Sequence, residues 1–213
     1  MNTTSEICTL WNYKDETLWL NALQHYYNLL SSSQMPLERK MEQVKCEDIS
    51  PLSTDDFYKF LHEEYFVWKY TQKNRLATTR KQLERYVTEN RMFELDYIKH
   101  RLFVADRSNI YECLSIASNI RGLGTAGASG LLSILFPQHF GTTDQFVVKS
   151  LLEIDNLEEH LQIQRMNPNA LKIEDGVILI EIMRKQAAYL NQSFNSSFWT
   201  PRKIDMILWS IGR

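Results

Sequence analysis

The chain is short of the residues that most often announce chemistry or location. Only three cysteines, Cys8, Cys46 and Cys113, occur in 213 residues, and they are widely scattered. Neither a disulfide framework nor a four-cysteine iron-sulfur site can be built from them. With no signal-peptide pattern, they point to a reducing compartment, and we expect a cytoplasmic protein. No apolar run is long enough to cross a bilayer, so a membrane partner is not expected. His25, His62, His100, His139 and His160 show no zinc-binding spacing, and there is no phosphate loop or dinucleotide fingerprint. No cofactor is therefore expected. Positive charge is also scarce: 24 Lys and Arg against 26 Asp and Glu leave a net charge of −2, which argues against an indiscriminately basic nucleic-acid coat.

What the chain does have is helical periodicity, with little alternation of the kind strands need and no internal repeat. The pattern predicts an all-α fold with helices over 15–30, 54–71, 74–89, 91–104, 108–120, 125–136, 144–153, 156–165, 174–191 and 201–211. Thr200 caps the last, with Pro201 in its first position and Gly212 as terminator. Ser31 to Glu42, with a serine run and Pro36, reads as a connection. At 44% hydrophobic residues the chain can bury a sizeable core.

Charge is distributed unevenly. Lys69, Lys73, Arg75, Arg80, Lys81 and Arg85 are interrupted only by Glu84, whereas residues 42 to 64 are acidic. A DNA duplex approaching the basic stretch would feel an attraction that the whole-chain charge hides, although a solvated helix face has the same composition. On the final helix, Arg202 and Lys203 stand in the first turn, against the helix dipole. Charges so placed sometimes serve a partner such as a phosphate.

Residues 121 to 144 carry the most specific pattern. An apolar helix face made by Ile110, Leu114, Ile116, Ala117 and Ile120 stops at Arg121-Gly122. Leu123 follows as an apolar anchor, Gly124 lets the chain turn again, and Thr125 opens a helix rich in small residues. The first amides of such a helix, with its dipole behind them, form an anion site that needs no basic side chain. After Pro137 and Gly141, Asp144 caps or begins a further helix built on Phe146, Val147, Val148, Leu151 and Leu152, where the dipole favours negative charge. Taken alone, each part reads equally as a tight turn and a cap.

Together, Gly122-Leu123-Gly124 and Asp144-Gln145-Phe146-Val147-Val148-Lys149, at their separation, resemble the helix-hairpin-helix DNA glycosylase superfamily, the endonuclease III-like group. The motif-level resemblance spans residues 110 to 152. It implies two helical lobes flanking a cleft. Residues 14–136 would end the first lobe with the hairpin motif, and residues 137–213, joined by 1–13, would form the second, which carries Asp144. It also implies that Gly122, Leu123, Gly124, Thr125 and Ala126 hold a DNA phosphate and that Asp144 serves the chemistry at the sugar.

Three departures from the family pattern matter. Ala126 stands where strand-cleaving members have their lysine, so a lyase step by that route is not expected. Arg121 replaces the usual hairpin proline and is a candidate phosphate ligand. The iron-sulfur cysteines are missing. The resemblance therefore implies a monofunctional, monomeric enzyme acting on double-stranded DNA, which flips a base and hydrolyses its glycosidic bond. Trp68, Lys69, Tyr70 and Gln145 are candidates for its base pocket, although core packing explains the Phe66 to Tyr70 aromatics as readily. Two other functions fit the same residues: a hairpin DNA-binding module without chemistry, and an α-helical protein-interaction domain in which the hairpin is only a turn.

Overall fold

In the computed structural model, residues 6–213 are described, and among them there are helices and turns but no strand. The order is α1 Glu6–Asn12, α2 Glu16–Leu29, α3 Gln34–Glu42, α4 Cys46–Ile49 and α5 Thr54–Lys59. A π-helical segment, Phe60–Tyr65, continues α5 into α6, Phe66–Lys69. Then come α7 Lys73–Thr88, α8 Met92–Val104, α9 Ile110–Ser118, α10 Thr125–Leu135, α11 Gln145–Leu152, α12 His160–Ile163, α13 Ile173–Phe194 and α14 Pro201–Gly212.

Local chemistry starts these helices where the chain must turn. Asp15, Ser53, Asn109, Asp144 and Thr200 each accept a hydrogen bond from a first-turn amide, satisfying donors that the helix cannot pair itself. Pro201 then sits where its missing N–H costs nothing.

The core is organised around α14, which packs against α2, α11 and α13. Ile204, Asp205, Met206, Ile207 and Leu208 are all buried, as expected of a helix covered on most sides. The α10 helix is equally enclosed, and it packs on α9, α13 and α14. Its composition permits this, because Gly127, Ala128, Ser129, Gly130 and Ser133 let neighbouring backbones come close.

Three expectations are corrected. Residues 34–42 form a helix rather than a connection: Pro36 falls in the first turn, where proline is tolerated, and Glu38 and Met41 turn one face inward. The helix expected over 156–165 shrinks to His160–Ile163. The boundary at residue 14 also fails. The α2 helix packs on α14, with Trp19 against Trp199 and Tyr26 against Trp209, so it belongs with the C-terminal helices. The buried side chains form one continuous cluster across the boundary expected at 136/137. The α1 helix also packs on α14, and residues 1–5 of the expected joining segment lie outside the described residues.

Glycines 127 and 124 make opposite predictions. A Cβ on Gly127 would lie 2.5 Å from the Tyr70 hydroxyl and 3.0 Å from Leu123 Cδ2, whereas one on Gly124 would meet nothing within 4 Å. Gly127→Ala should lower the free energy of unfolding by about 1–3 kcal/mol. Gly124→Ala should change it by less than about 0.5 kcal/mol, both read from urea denaturation. Equal effects at the two positions would contradict the tight seating of α10.

Candidate functional site

The hairpin is held from below. Gly122 has φ +93°, in the region glycine favours, and a Cβ there would lie 2.8 Å from the Thr79 carbonyl oxygen. The Tyr70 hydroxyl donates to the Gly122 carbonyl at 3.3 Å, and burial pushes this phenol up to about 12, so it remains a donor at neutral pH. The Leu123 amide closes the turn onto Ile120 O at 2.9 Å, and Leu123 itself is buried. Gly124 is extended and exposed, and its carbonyl accepts from Ala128 N at 2.8 Å. The amides of Thr125 and Ala126, first in α10, have no acceptor among the described residues.

Arg121 is committed within the fold. Its guanidinium bonds Glu89 at 2.6 Å and Glu94 at 3.2 Å and lies 4.8 Å from the centre of the Tyr86 ring, leaving its side chain 19% exposed. The available positive charge beside the hairpin is Arg75. This residue is exposed, stands over the Tyr70 ring at 5.6 Å and forms no ion pair among the described residues. The basic stretch 69 to 85 contained this residue, but nothing local distinguished it from Arg80, which bonds His62 O at 2.9 Å, or Arg85, which bonds Glu89 at 2.6 Å.

One flank of α10 receives α6 and the π segment. The Tyr65 hydroxyl donates to the Gly127 carbonyl, and the Lys69 methylenes run along Gly130, where a Cβ would lie 3.2 Å from both Cδ and Cε. The other flank holds the loop before α11. Ser129 Oγ accepts from the Thr143 amide at 2.9 Å and its hydroxyl at 3.0 Å, and Ser133 Oγ meets Thr142 Oγ1 at 3.1 Å. Asp144 then caps α11, and both bonds it accepts, from Phe146 N at 2.9 Å and Val147 N at 3.2 Å, go to Oδ1. Oδ2 takes no hydrogen bond from the described residues, and the side chain is partly exposed.

The four residues expected at a base pocket separate. Lys69 is the one brought into electrostatic range of Asp144. Tyr70 is the strut beneath the hairpin, and Gln145 is exposed at the start of α11. Trp68 donates through Nε1 to Glu38 at 2.6 Å and carries the Arg202 guanidinium 5.3 Å above its ring. His139 lies elsewhere, its carbonyl accepting from Arg184 Nε at 2.6 Å.

Beneath the site runs a charge network that no local pattern reveals. Arg202, in the first turn of α14, bonds Glu38 at 2.5 Å and Asp205 at 2.8 Å, so its partner is internal rather than a phosphate. Burial opposes its charge, yet Asp205 and Glu38 hold its pKa well above the usual arginine value. Asp205 also accepts the Thr142 amide at 2.6 Å, tying the network to the loop that carries Asp144. Burial pushes the Asp205 carboxyl up to about 7, opposed by Arg202, the Thr142 amide and Lys69. Lys203 is likewise satisfied internally, by Phe198 O at 2.8 Å.

Removing the guanidinium with Arg202→Met leaves Glu38 and Asp205 buried without it, which should lower stability by about 3–5 kcal/mol near pH 7.5. Asp205 without Arg202 titrates higher still in the folded state. Folded protein then keeps a proton that the unfolded chain releases above about pH 4. The variant's deficit should therefore grow with pH and be smaller near pH 5, as urea denaturation at the two pH values would show; a constant deficit would contradict the network.

With this geometry in view, no family model, no curated protein and no solved structure matches the chain.

Proposed function

We propose that the protein is a DNA N-glycosylase of the helix-hairpin-helix kind, which takes a modified base out of the duplex and hydrolyses its glycosidic bond. The observation that carries this reading is the half-used Asp144 carboxylate. One oxygen is fixed by two helix amides and the other is free, and an eight-residue loop, 136–143, joins Asp144 to the helix whose first amides are open to an anion. A carboxylate so oriented stabilises the oxocarbenium-like sugar and positions the attacking water. The Thr125 and Ala126 amides, the bare backbone at Gly124 and the Arg75 guanidinium supply phosphate contacts.

Gly124 supports the same reading from another direction. Its backbone suits any residue and its surroundings would accept a side chain, so nothing inside the fold explains a glycine there. Close approach of a ligand to the main chain explains it. Arg121 has no part in this reading, because Glu89 and Glu94 already hold it.

The test incubates purified protein with duplexes carrying a panel of altered bases, followed by hot alkali. Asp144→Asn should reduce alkali-labile sites by at least about 100-fold. It should change stability by less than about 1 kcal/mol, because asparagine also caps helices well. If no base in the panel is released, or if Asp144→Asn keeps full activity, the catalytic reading is wrong. Salt-sensitive duplex binding without excision, weakened by Gly124→Val, would identify a hairpin DNA-binding module instead.

A further inference from the structure

Helix α8 carries three large apolar side chains on its outer side. Phe93, Tyr97 and Val104 are 67%, 63% and 66% exposed. At about 100° per residue they lie within about 40° of one another around the helix, so they form one stripe rather than scattered single residues. Beside the stripe runs a groove of about 470 Å³, lined by Phe93, Tyr97 and Ile98 from α8, Tyr86 from α7 and Ile116 from α9.

The polar groups that border this groove are mostly spent inside the fold. The Tyr86 hydroxyl donates to Asn119 O at 3.2 Å and accepts from the Arg121 amide at 3.2 Å, and Glu89 and Glu94 hold the Arg121 guanidinium. What is left to cover is aromatic and aliphatic surface, which suits rings of the kind that stand next to it. Charge is placed at the two ends. Glu94 borders the groove beside Phe93, and Arg101 borders it two helical turns further on. Arg101 is the loosely held cation here: its bond to the partly exposed Glu112 is 3.4 Å long, and its guanidinium lies 6.0 Å from the centre of the Tyr97 ring.

We propose that this face pairs with the same face of a second copy of the chain, with the two α8 helices antiparallel about a two-fold axis near Tyr97. A contact of that symmetry requires a surface complementary to itself. This one has protruding rings next to a groove that accepts rings, and an acid at one end with a base at the other. Phe93 and Arg101 each stand four residues from Tyr97, so the two-fold brings Arg101 of each copy against the Phe93 ring and the Glu94 carboxylate of the other. The cation–ring contact and the charge pair then both form twice. A parallel pairing would instead oppose Arg101 to Arg101 and Glu94 to Glu94. The dimer replaces the monomer that the family resemblance implies. It does not rest on the glycosylase reading, because Asp144, Arg75, Gly124, Thr125 and Ala126 do not line the groove.

Sedimentation equilibrium of the full-length protein, over about a hundredfold range of concentration, should show a mass rising from one chain towards two. Tyr97→Arg puts like charges together at the axis and should leave a single chain at every concentration. Its urea midpoint should match the parent's, because the ring it replaces is exposed. Arg101→Glu should weaken association at least about tenfold. Under mild oxidation, Tyr97→Cys should give a covalent dimer whose disulfide maps to position 97 in both copies. Tyr13→Cys, which replaces another exposed ring, should give no link through position 13.

A single chain at every concentration overturns the proposal and leaves the groove to a different occupant. A dimer that survives Tyr97→Arg, or a disulfide that maps to other positions alone, overturns it as well. Base release is measured separately, so its failure leaves the pairing standing and its success does not support it.

Discussion

The structure depends on how closely other elements can approach α10. Along most helices, side chains hold neighbours about 8–10 Å from the axis. The run Gly127, Ala128, Ser129, Gly130 has little to hold anything away, and both flanks are used. The Tyr65 hydroxyl reaches the Gly127 carbonyl on one side, and on the other the Thr143 amide reaches Ser129 Oγ at 2.9 Å. Lys69 and Asp144, 75 positions apart in the chain, come into electrostatic range because Lys69 stands four residues after Tyr65 and Asp144 directly follows Thr143, both of which are fastened to α10. The hairpin is an outcome of the same constraint, since its Leu123 packs where Gly127 leaves space.

This arrangement gives the site an uneven electrostatic character. The outer layer, with the open amides of α10 and Arg75, suits an anion approaching from solvent. The inner layer is a desolvated sequence of alternating charges, Glu38, Arg202 and Asp205, in which each group depends on the next. Such networks contribute little net stability, because desolvation offsets their attraction, but they penalise any rearrangement that separates the partners. Here they fix the α3–α6–α14 junction and, through Thr142, the loop leading to Asp144. The Asp144 carboxylate is therefore positioned by groups buried well behind it.

Much of this was legible from local pattern, and the exceptions share a cause. Periodicity identified α7, α8, α9, α10 and α13 to within a few residues, and the cap at Asp144 followed from a carboxylate standing just ahead of an apolar helix. The serine run and Pro36 concealed α3, whose inward face exists to bring Glu38 to a guanidinium 164 residues away. Arg121 and Arg202 both looked available for phosphate because their carboxylate partners are distant in the chain: Glu89 and Glu94 in one case, Glu38 in the other. Lys69 was singled out among aromatics as a base-pocket candidate, but nothing nearby in the chain indicated a lysine without a counter-ion. Local signals predict caps and faces; they carry no information on which charges are neutralised by distant partners.

The π-helical segment Phe60–Tyr65 bears on how this chain can change in length. A π turn accommodates one residue more than an α turn and is readily gained or lost by a single insertion or deletion. Removing one residue between Thr54 and Tyr65 could be absorbed by relaxing the segment to ordinary α-helix, so that Phe66 to Tyr70 kept their facing. The same deletion in α10, which has no such slack, would turn everything beyond it by about 100° and move Ser129 and Gly130 off their flanks. The two helices that meet at the site thus differ in mutational tolerance: one carries its own adjustment for length, and the other admits none.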